Sequence, residues 1–193
     1  MAALAEISDR LVEQLLERCK QGDRIAQFEL YKRYTKAMYN VAVRITRDVM
    51  EAEDVLQEAF VRAFRNLHSF KGDSTFGAWL KRIVINTSIN HLKRKKADFV
   101  AIEDVKLDEY EPQPESFSSS KQTKRIHDAI MKLPEGYRVV FSLYLIEGYD
   151  HKEIGKILNI SEATSKSQYS RAKKKLRNML GDIAPAALMA RSG

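Results

Sequence analysis

An all-α protein, built as two small helical domains joined by a flexible acidic linker, is the fold class this sequence predicts, and three observations predict it. Apolar residues recur at three- and four-residue spacing through most of the chain, which is the pattern of amphipathic helices. Glycine and proline, eight and four of 193 residues, are too scarce to punctuate a β protein. Between Asp98 and Lys121 the composition changes: seven acids (Asp98, Glu103, Asp104, Asp108, Glu109, Glu111, Glu115), Pro112, Pro114 and the run SFSSSK replace the helical period, which is a linker composition. The expected division is a first domain over 1–97, a linker over 98–121, a second domain over 122–181 and a fraying tail over 182–193.

Each element has its own justification. From Leu11 through Leu67 the apolar period runs as three helices, broken at Gln21-Gly22-Asp23 and around Thr46 to Val49. A fourth helix is expected from about Phe76 to Lys96, after the polar loop Lys71 to Ser74. Beyond the linker, Pro134 and the turn Gly148-Tyr149-Asp150 divide the chain into shorter helices. There HKEIGKILNISEATSKSQYSRAKKKL fits a helix-turn-helix. Ile154, Ile157 and Leu158 give the first helix an apolar face, Asn159-Ile160 is the turn, and Ser161 is placed to cap the second helix. Gly155 is small enough to let the two helices cross closely.

Composition bounds the function. A hydrophobic content of 44% is enough for real cores and excludes a disordered polyelectrolyte, while a net charge of +7 favours an acidic partner. Cys19 is alone, so neither a disulfide framework nor a cysteine metal cage is available, and a reducing interior is the natural compartment. The first twenty residues lack the basic start and continuous apolar run of a secretion signal, and no stretch approaches the ~18 apolar residues of a membrane span. The expectation is a cytoplasmic protein without membrane insertion. His68, His91, His127 and His151 are scattered, and no HExxH, CxxC, nucleophile elbow or phosphate-loop pattern is present. Neither an enzyme, nor a cofactor, nor a metal site is expected.

Three constellations carry chemistry, each beside a plainer alternative. In SEATSKSQYSRAKKKL five cations face a single acid; Lys166, Ser167, Ser170 and Arg171 share one side at three- to four-residue spacing, and Tyr169, Ala172 and Leu176 the other. Such side chains suit base edges and phosphates, and the alternative is a solvated basic helix. In VMEAEDVLQEAFVRAFRNL, Asp54, Gln57 and Glu58 share a face with Glu51 one turn earlier, while Val55, Ala59 and Phe60 point inward. That face suits a basic protein helix and would repel DNA, and the alternative is ordinary solvation. In SFKGDSTFGAWLKRIVINTSINHLKRKK, Phe70, Phe76 and Trp79 stand beside Lys71, Lys81, Arg82 and the cluster Lys93 to Lys96, with Asn86 and Asn90 one turn apart. Aromatics among cations and amides can hold unstacked bases, and the alternative for Trp79 is simple core packing.

In this order and spacing the constellations resemble the extracytoplasmic-function (ECF) class of bacterial RNA polymerase sigma factors. FELYKRY, AEDVLQEAFVRAF, SFKGDSTFGAWLKRIVINTSIN, LPEGYRVVF and the helix-turn-helix stand in register from about Asp23 to Leu180. The resemblance implies that residues 1–97 form a region 2 domain and 122–181 a region 4 domain. It implies that Glu51, Asp54, Gln57 and Glu58 dock on the β′ clamp helices of core polymerase. It implies that Phe70, Lys71, Gly72, Asp73 and Ser74, with Trp79, Arg82, Asn86, Asn90, Lys93 and Arg94, bind the minus-ten element and a base flipped from it. It implies further that Ser161, Lys166, Ser167, Ser170, Arg171 and Lys174 read the minus-thirty-five element, while the same domain leans on the β flap. The linker would thread toward the RNA exit path, its acidity mimicking nucleic acid, and an anti-sigma factor would hold the protein inactive.

The sequence departs from the family at Ser165, where valine is common, at Gln168 and Tyr169, where arginine and an aliphatic are frequent, and at Asn90, where many members carry aspartate. These positions leave the promoter preference unread. Two rival functions predict different behaviour: a stand-alone helix-turn-helix regulator would bind duplex without polymerase, and a nuclease would need Asp54 or Glu58 as metal ligands.

Overall fold

The computed structural model describes the backbone of residues 2–99 and 121–181 and the side chains of residues 10–95 and 121–181. The tail 182–193 and nearly all of the expected linker lie outside the described residues. All regular structure in the described residues is helical, and the chain divides into two compact units, Met1–Ala101 and Ile102–Gly193.

The first unit holds α1 (Ala2–Lys20), α2 (Arg24–Thr46), α3 (Val49–Arg65), a 3-10 turn (Leu67–Ser69) and α4 (Phe76–Phe99). Helices α2, α3 and α4 pack pairwise, and α1 lies on α2. The breaks follow local chemistry. Gly22 takes φ +85°, and the Asp23 carboxylate caps α2 by accepting from the backbone N–H groups of Ile25 and Ala26. The Arg18 guanidinium, 2.7 Å from Asp23, holds that carboxyl below the usual range. Arg47 closes α2 in the left-handed region at φ 64°, and Asp48 caps α3 by accepting from the Glu51 N–H. The core is aliphatic: Leu30, Ile45, Val55, Leu56, Leu80, Val84 and Ile85 are all buried. Cys19 joins it from α1, and burial pushes its thiol up to about 11. Helix α4 reaches Phe99, past the expected end near Lys96, so the first linker residues extend the helix.

The second unit holds α5 (Lys121–Met131), α6 (Glu135–Phe141), a π-helical turn (Ser142–Ile146), α7 (His151–Leu158) and α8 (Glu162–Leu180). Helices α5, α6 and α7 all pack on α8, which is therefore the centre of the unit. Pro134 separates α5 from α6, and the buried Arg138 donates to the Leu133 carbonyl across that turn. The π-helical turn widens the end of α6: the Glu147 N–H reaches the Ser142 carbonyl five residues back. The apolar period did not predict it, because over a single turn a helical pattern does not distinguish four-residue from five-residue hydrogen bonding. Asp150 and Glu153 form a reciprocal capping box at the start of α7, and Asn159 ends α7 in the left-handed region at φ 57°.

The turn of the helix-turn-helix is tight for a specific reason. A Cβ on Gly155 would meet the Ile160 carbonyl oxygen at 2.8 Å, closer than real Cβ contacts allow. The Gly155 carbonyl accepts the Ile160 N–H at 3.0 Å, which locks the chain reversal. Ser161 then caps α8, its hydroxyl accepting from the Thr164 N–H.

Candidate nucleic-acid interface

On α8 the structure separates the two sides that the spacing predicts. Lys166, Ser167, Ser170, Arg171 and Lys174 are exposed with Ser161, whereas Tyr169, Ala172 and Leu176 are buried. Lys166 is anchored one turn back by Glu162, its Nζ 2.7 Å from the carboxylate. That hydrogen bond raises the Lys166 pKa and lowers the Glu162 pKa. Lys173 lies over the Tyr169 ring at 4.9 Å, so the triplet of lysines is not uniformly turned to solvent.

Two of the departures that leave the promoter preference unread are core residues. Ser165 is fully buried, and its hydroxyl lies 2.9 Å from Nδ1 of His151. Tyr169 is 4% exposed and packs against Phe141, Tyr144 and His151. Gln168 lies against α6, where a Cβ on Gly136 would meet its side chain at 3.3 Å. Ser165 stands one turn before Tyr169 on the inward stripe, and what only the packing of α7 on α8 supplies is His151 as its partner.

In the first unit the loop Lys71 to Ser74 is exposed and Gly72 bends it at φ +82°, with open space around the Cα. Its base is aromatic. Phe70 contacts Trp79 at 5.4 Å and Phe76 at 5.8 Å between ring centres, and Phe76 meets Tyr34 of α2. Phe76 is buried, whereas Phe70 and Trp79 are half-buried, so the core alternative for Trp79 applies to only part of the ring. Thr75 starts α4, its hydroxyl accepting from the Ala78 N–H. From there Arg82, Asn86, Asn90 and Lys93 make an exposed line continuing from Trp79, opposite the buried Leu80, Val84, Ile85 and Ile89.

Arg94 leaves that line. It lies 3.4 Å from Glu58 on α3, and Lys95 and His91 meet Glu51, the histidine at 3.5 Å. Glu51 and Glu58 are thereby drawn into ion pairs between α3 and α4, Glu58 also holding Arg62 at 2.7 Å. Asp54 and Gln57 remain exposed, flanked on the same face by Met50 and Val61 at 72% and 48% exposure. These two apolar residues were missed in the sequence, since their four-residue spacing from Asp54 and Gln57 reads as ordinary helical filling.

Among the described residues no cluster of His, Cys, Asp or Glu could hold a metal ion, and no helix is long and apolar enough to cross a membrane. The Sigma-70 region 2 family matches residues 30–97 and the Sigma-70 region 4 family matches residues 123–176. RNA polymerase sigma-H factor of Pseudomonas aeruginosa is 33% identical over 179 residues, spanning 87% of this chain and 93% of that protein. ECF RNA polymerase sigma factor SigW of Bacillus subtilis is 32% identical over 187 residues, spanning 91% of this chain and all 100% of that protein. In fold, the chain is similar to Bartonella quintana RpoE solved with the anti-sigma factor NepR, at a TM-score of 0.61 and 21% identity over 80% of this chain and 96% of that one. CnrH, solved with the cytosolic domain of CnrY, gives a TM-score of 0.52 at 24% identity over 88% of this chain and 97% of that one. Matched in both regions and along nearly the full length of such relatives, the chain belongs to the ECF RNA polymerase sigma factors.

Proposed function

We propose that this chain binds core RNA polymerase and directs it to promoters by contacting the minus-ten and minus-thirty-five elements. The observation that carries the reading is the division of exposed side chains among three helices. An acid-and-amide face with apolar shoulders stands on α3, a cation-and-amide line on α4 below an aromatic-based loop, and a cation-and-hydroxyl face on α8. Protein docking and DNA contact are thus assigned to chemically opposite surfaces.

In this reading Asp54 and Gln57, with Met50 and Val61 added, meet the β′ clamp helices, while Glu51 and Glu58 buttress α3 against α4. The loop Phe70 to Ser74 and Trp79 receive a base extruded from the minus-ten element, and Arg82, Asn86, Asn90 and Lys93 follow the opened strand. Arg94 acts through Glu58 until DNA competes for it. Helix α8 reads the upstream element from residues 122–181, which also meet the β flap, and residues 1–97 form the opposite grip. Each contact is weak alone; core polymerase raises the effective concentration of the second once the first is made. The protein works in the cytoplasm, catalyses no reaction of its own, and is held in check by an anti-sigma factor.

The test is to purify the chain with core polymerase and map the transcript starts it creates. New starts sharing two spaced elements are the expected result. Duplex binding and repression without core association, or a metal-dependent nuclease activity lost on changing Asp54, would overturn it.

A further inference from the structure

Helix α8 carries one acid among its groove-side cations. Glu162 is the first residue of α8, exposed, and placed one turn before Lys166. The helix does not use this carboxylate as its cap, because the Ser161 hydroxyl takes the Thr164 N–H. In α7 the equivalent first-turn acid is consumed locally, Glu153 accepting from the Asp150 N–H at 2.9 Å. Glu162 instead holds Lys166 at 2.7 Å across the exposed side, with Ala163 and Ser167 beside them.

Against phosphate, such an acid is a liability: it repels the backbone and neutralises the cation nearest to it. Against base edges it supplies the one charged acceptor of α8, beside the neutral hydroxyls of Ser161, Ser167 and Ser170. Lysine and arginine only donate, so they can satisfy guanine O6 and N7 but leave the amino group of the opposite cytosine unread. A carboxylate accepts from cytosine N4 with no acceptor beside it, whereas adenine sets its N7 acceptor next to the N6 amino group, and thymine O4 and guanine O6 offer no donor. The ion pair also fixes the direction of both side chains before DNA arrives, lowering the entropy lost on docking.

We propose that Glu162 and Lys166 read as a unit, Glu162 accepting from a cytosine N4 amino group in the major groove of the upstream element and Lys166 donating to the adjoining base pair. The unit adds discrimination rather than affinity. Acceptor-only edges placed opposite Glu162 are rejected by repulsion. This rests on α8 being the upstream reader.

The experiment uses holoenzyme assembled from core polymerase with the full chain, challenged with a promoter library randomised through the upstream element. Transcript sequencing gives the base preference at each position for the unaltered protein, Glu162→Gln and Arg171→Ala. The expected result is a cytosine preference of about tenfold or more at one position. Glu162→Gln moves it toward adenine, whose N7 acceptor and N6 amino group an amide matches, and leaves other positions as they were. The same substitution should raise binding to non-specific duplex and steepen its salt dependence, because Lys166 is released to phosphate. Two results overturn the proposal: a uniform change at every position accompanied by a lower melting temperature, which is helix stabilisation only, or no change at all. If Arg171→Ala and the randomised element are also without effect, the assignment of α8 as upstream reader fails instead.

Discussion

The hydroxyl of Ser165 lies 2.9 Å from Nδ1 of His151, joining the start of α7 to the first turns of α8 at a site sealed from solvent. The His151 ring stacks on Tyr144 at 4.3 Å and also meets Tyr169. The reading helix is therefore oriented by a polar contact behind it, and the family's usual valine at position 165 would offer the histidine no partner. Ser165→Ala leaves a buried imidazole nitrogen unsatisfied and should cost ~1–3 kcal/mol. Urea denaturation of the full chain checks this, and Ser165→Val should be no better than alanine.

His151 also makes stability depend on pH. Burial first, and the Lys166 charge second, lower its pKa from the ordinary 6.5. Below pH 6.5 the unfolded chain takes a proton that the folded chain resists, so the contribution is full above that pH and is lost as pH falls through it. Asp150 and Glu162 oppose the shift without reversing it. The urea midpoint should fall between pH 7.5 and 5.5, and His151→Gln should flatten that slope.

Gly155→Ala places a methyl 2.8 Å from the Ile160 carbonyl oxygen, where backbone and not a flexible side chain must yield. A loss of ~1–3 kcal/mol is expected, with the turn between α7 and α8 opened. Transcription from promoters that need the upstream element should drop, while affinity for core polymerase through the first unit is retained. Comparing the two assays on one variant separates the units.

On α3 two carboxylates separated by three residues should behave differently. Asp54→Ala removes an exposed charge and should weaken binding to core polymerase about tenfold with an unchanged melting temperature. Glu51→Ala removes the ion pairs that Lys95 and His91 make with it and should lower the melting temperature instead. Met50→Ala should weaken core binding as Asp54→Ala does. Unchanged core affinity in both Asp54→Ala and Met50→Ala would remove α3 as the docking face.

Gly72 holds φ +82° with nothing near its Cα, so only backbone strain opposes a side chain there. Gly72→Ala should cost ~1–2 kcal/mol of loop conformation and slow promoter opening. Gly72→Asn should recover much of the rate, since asparagine tolerates the left-handed region. Permanganate reactivity of unpaired thymines measures the opening directly.

The sequence by itself determined the helical class, the division into two units, the order of helices and the residues that punctuate them. These follow from local rules: Asp23, Asp48, Asp150 and Ser161 cap because their side chains reach the next backbone N–H groups. The period also placed Lys166, Ser167, Ser170 and Arg171 opposite Tyr169 and Leu176 without help from tertiary packing. Only the tertiary structure decided which partners the polar residues meet. Periodicity is blind to a neighbouring helix, so it could not know that α7 brings His151 to Ser165. Nor could it know that α4 brings Lys95, His91 and Arg94 onto Glu51 and Glu58. The physical reason is that a face on one helix becomes surface or seam according to what packs against it, and that partner lies far away in sequence.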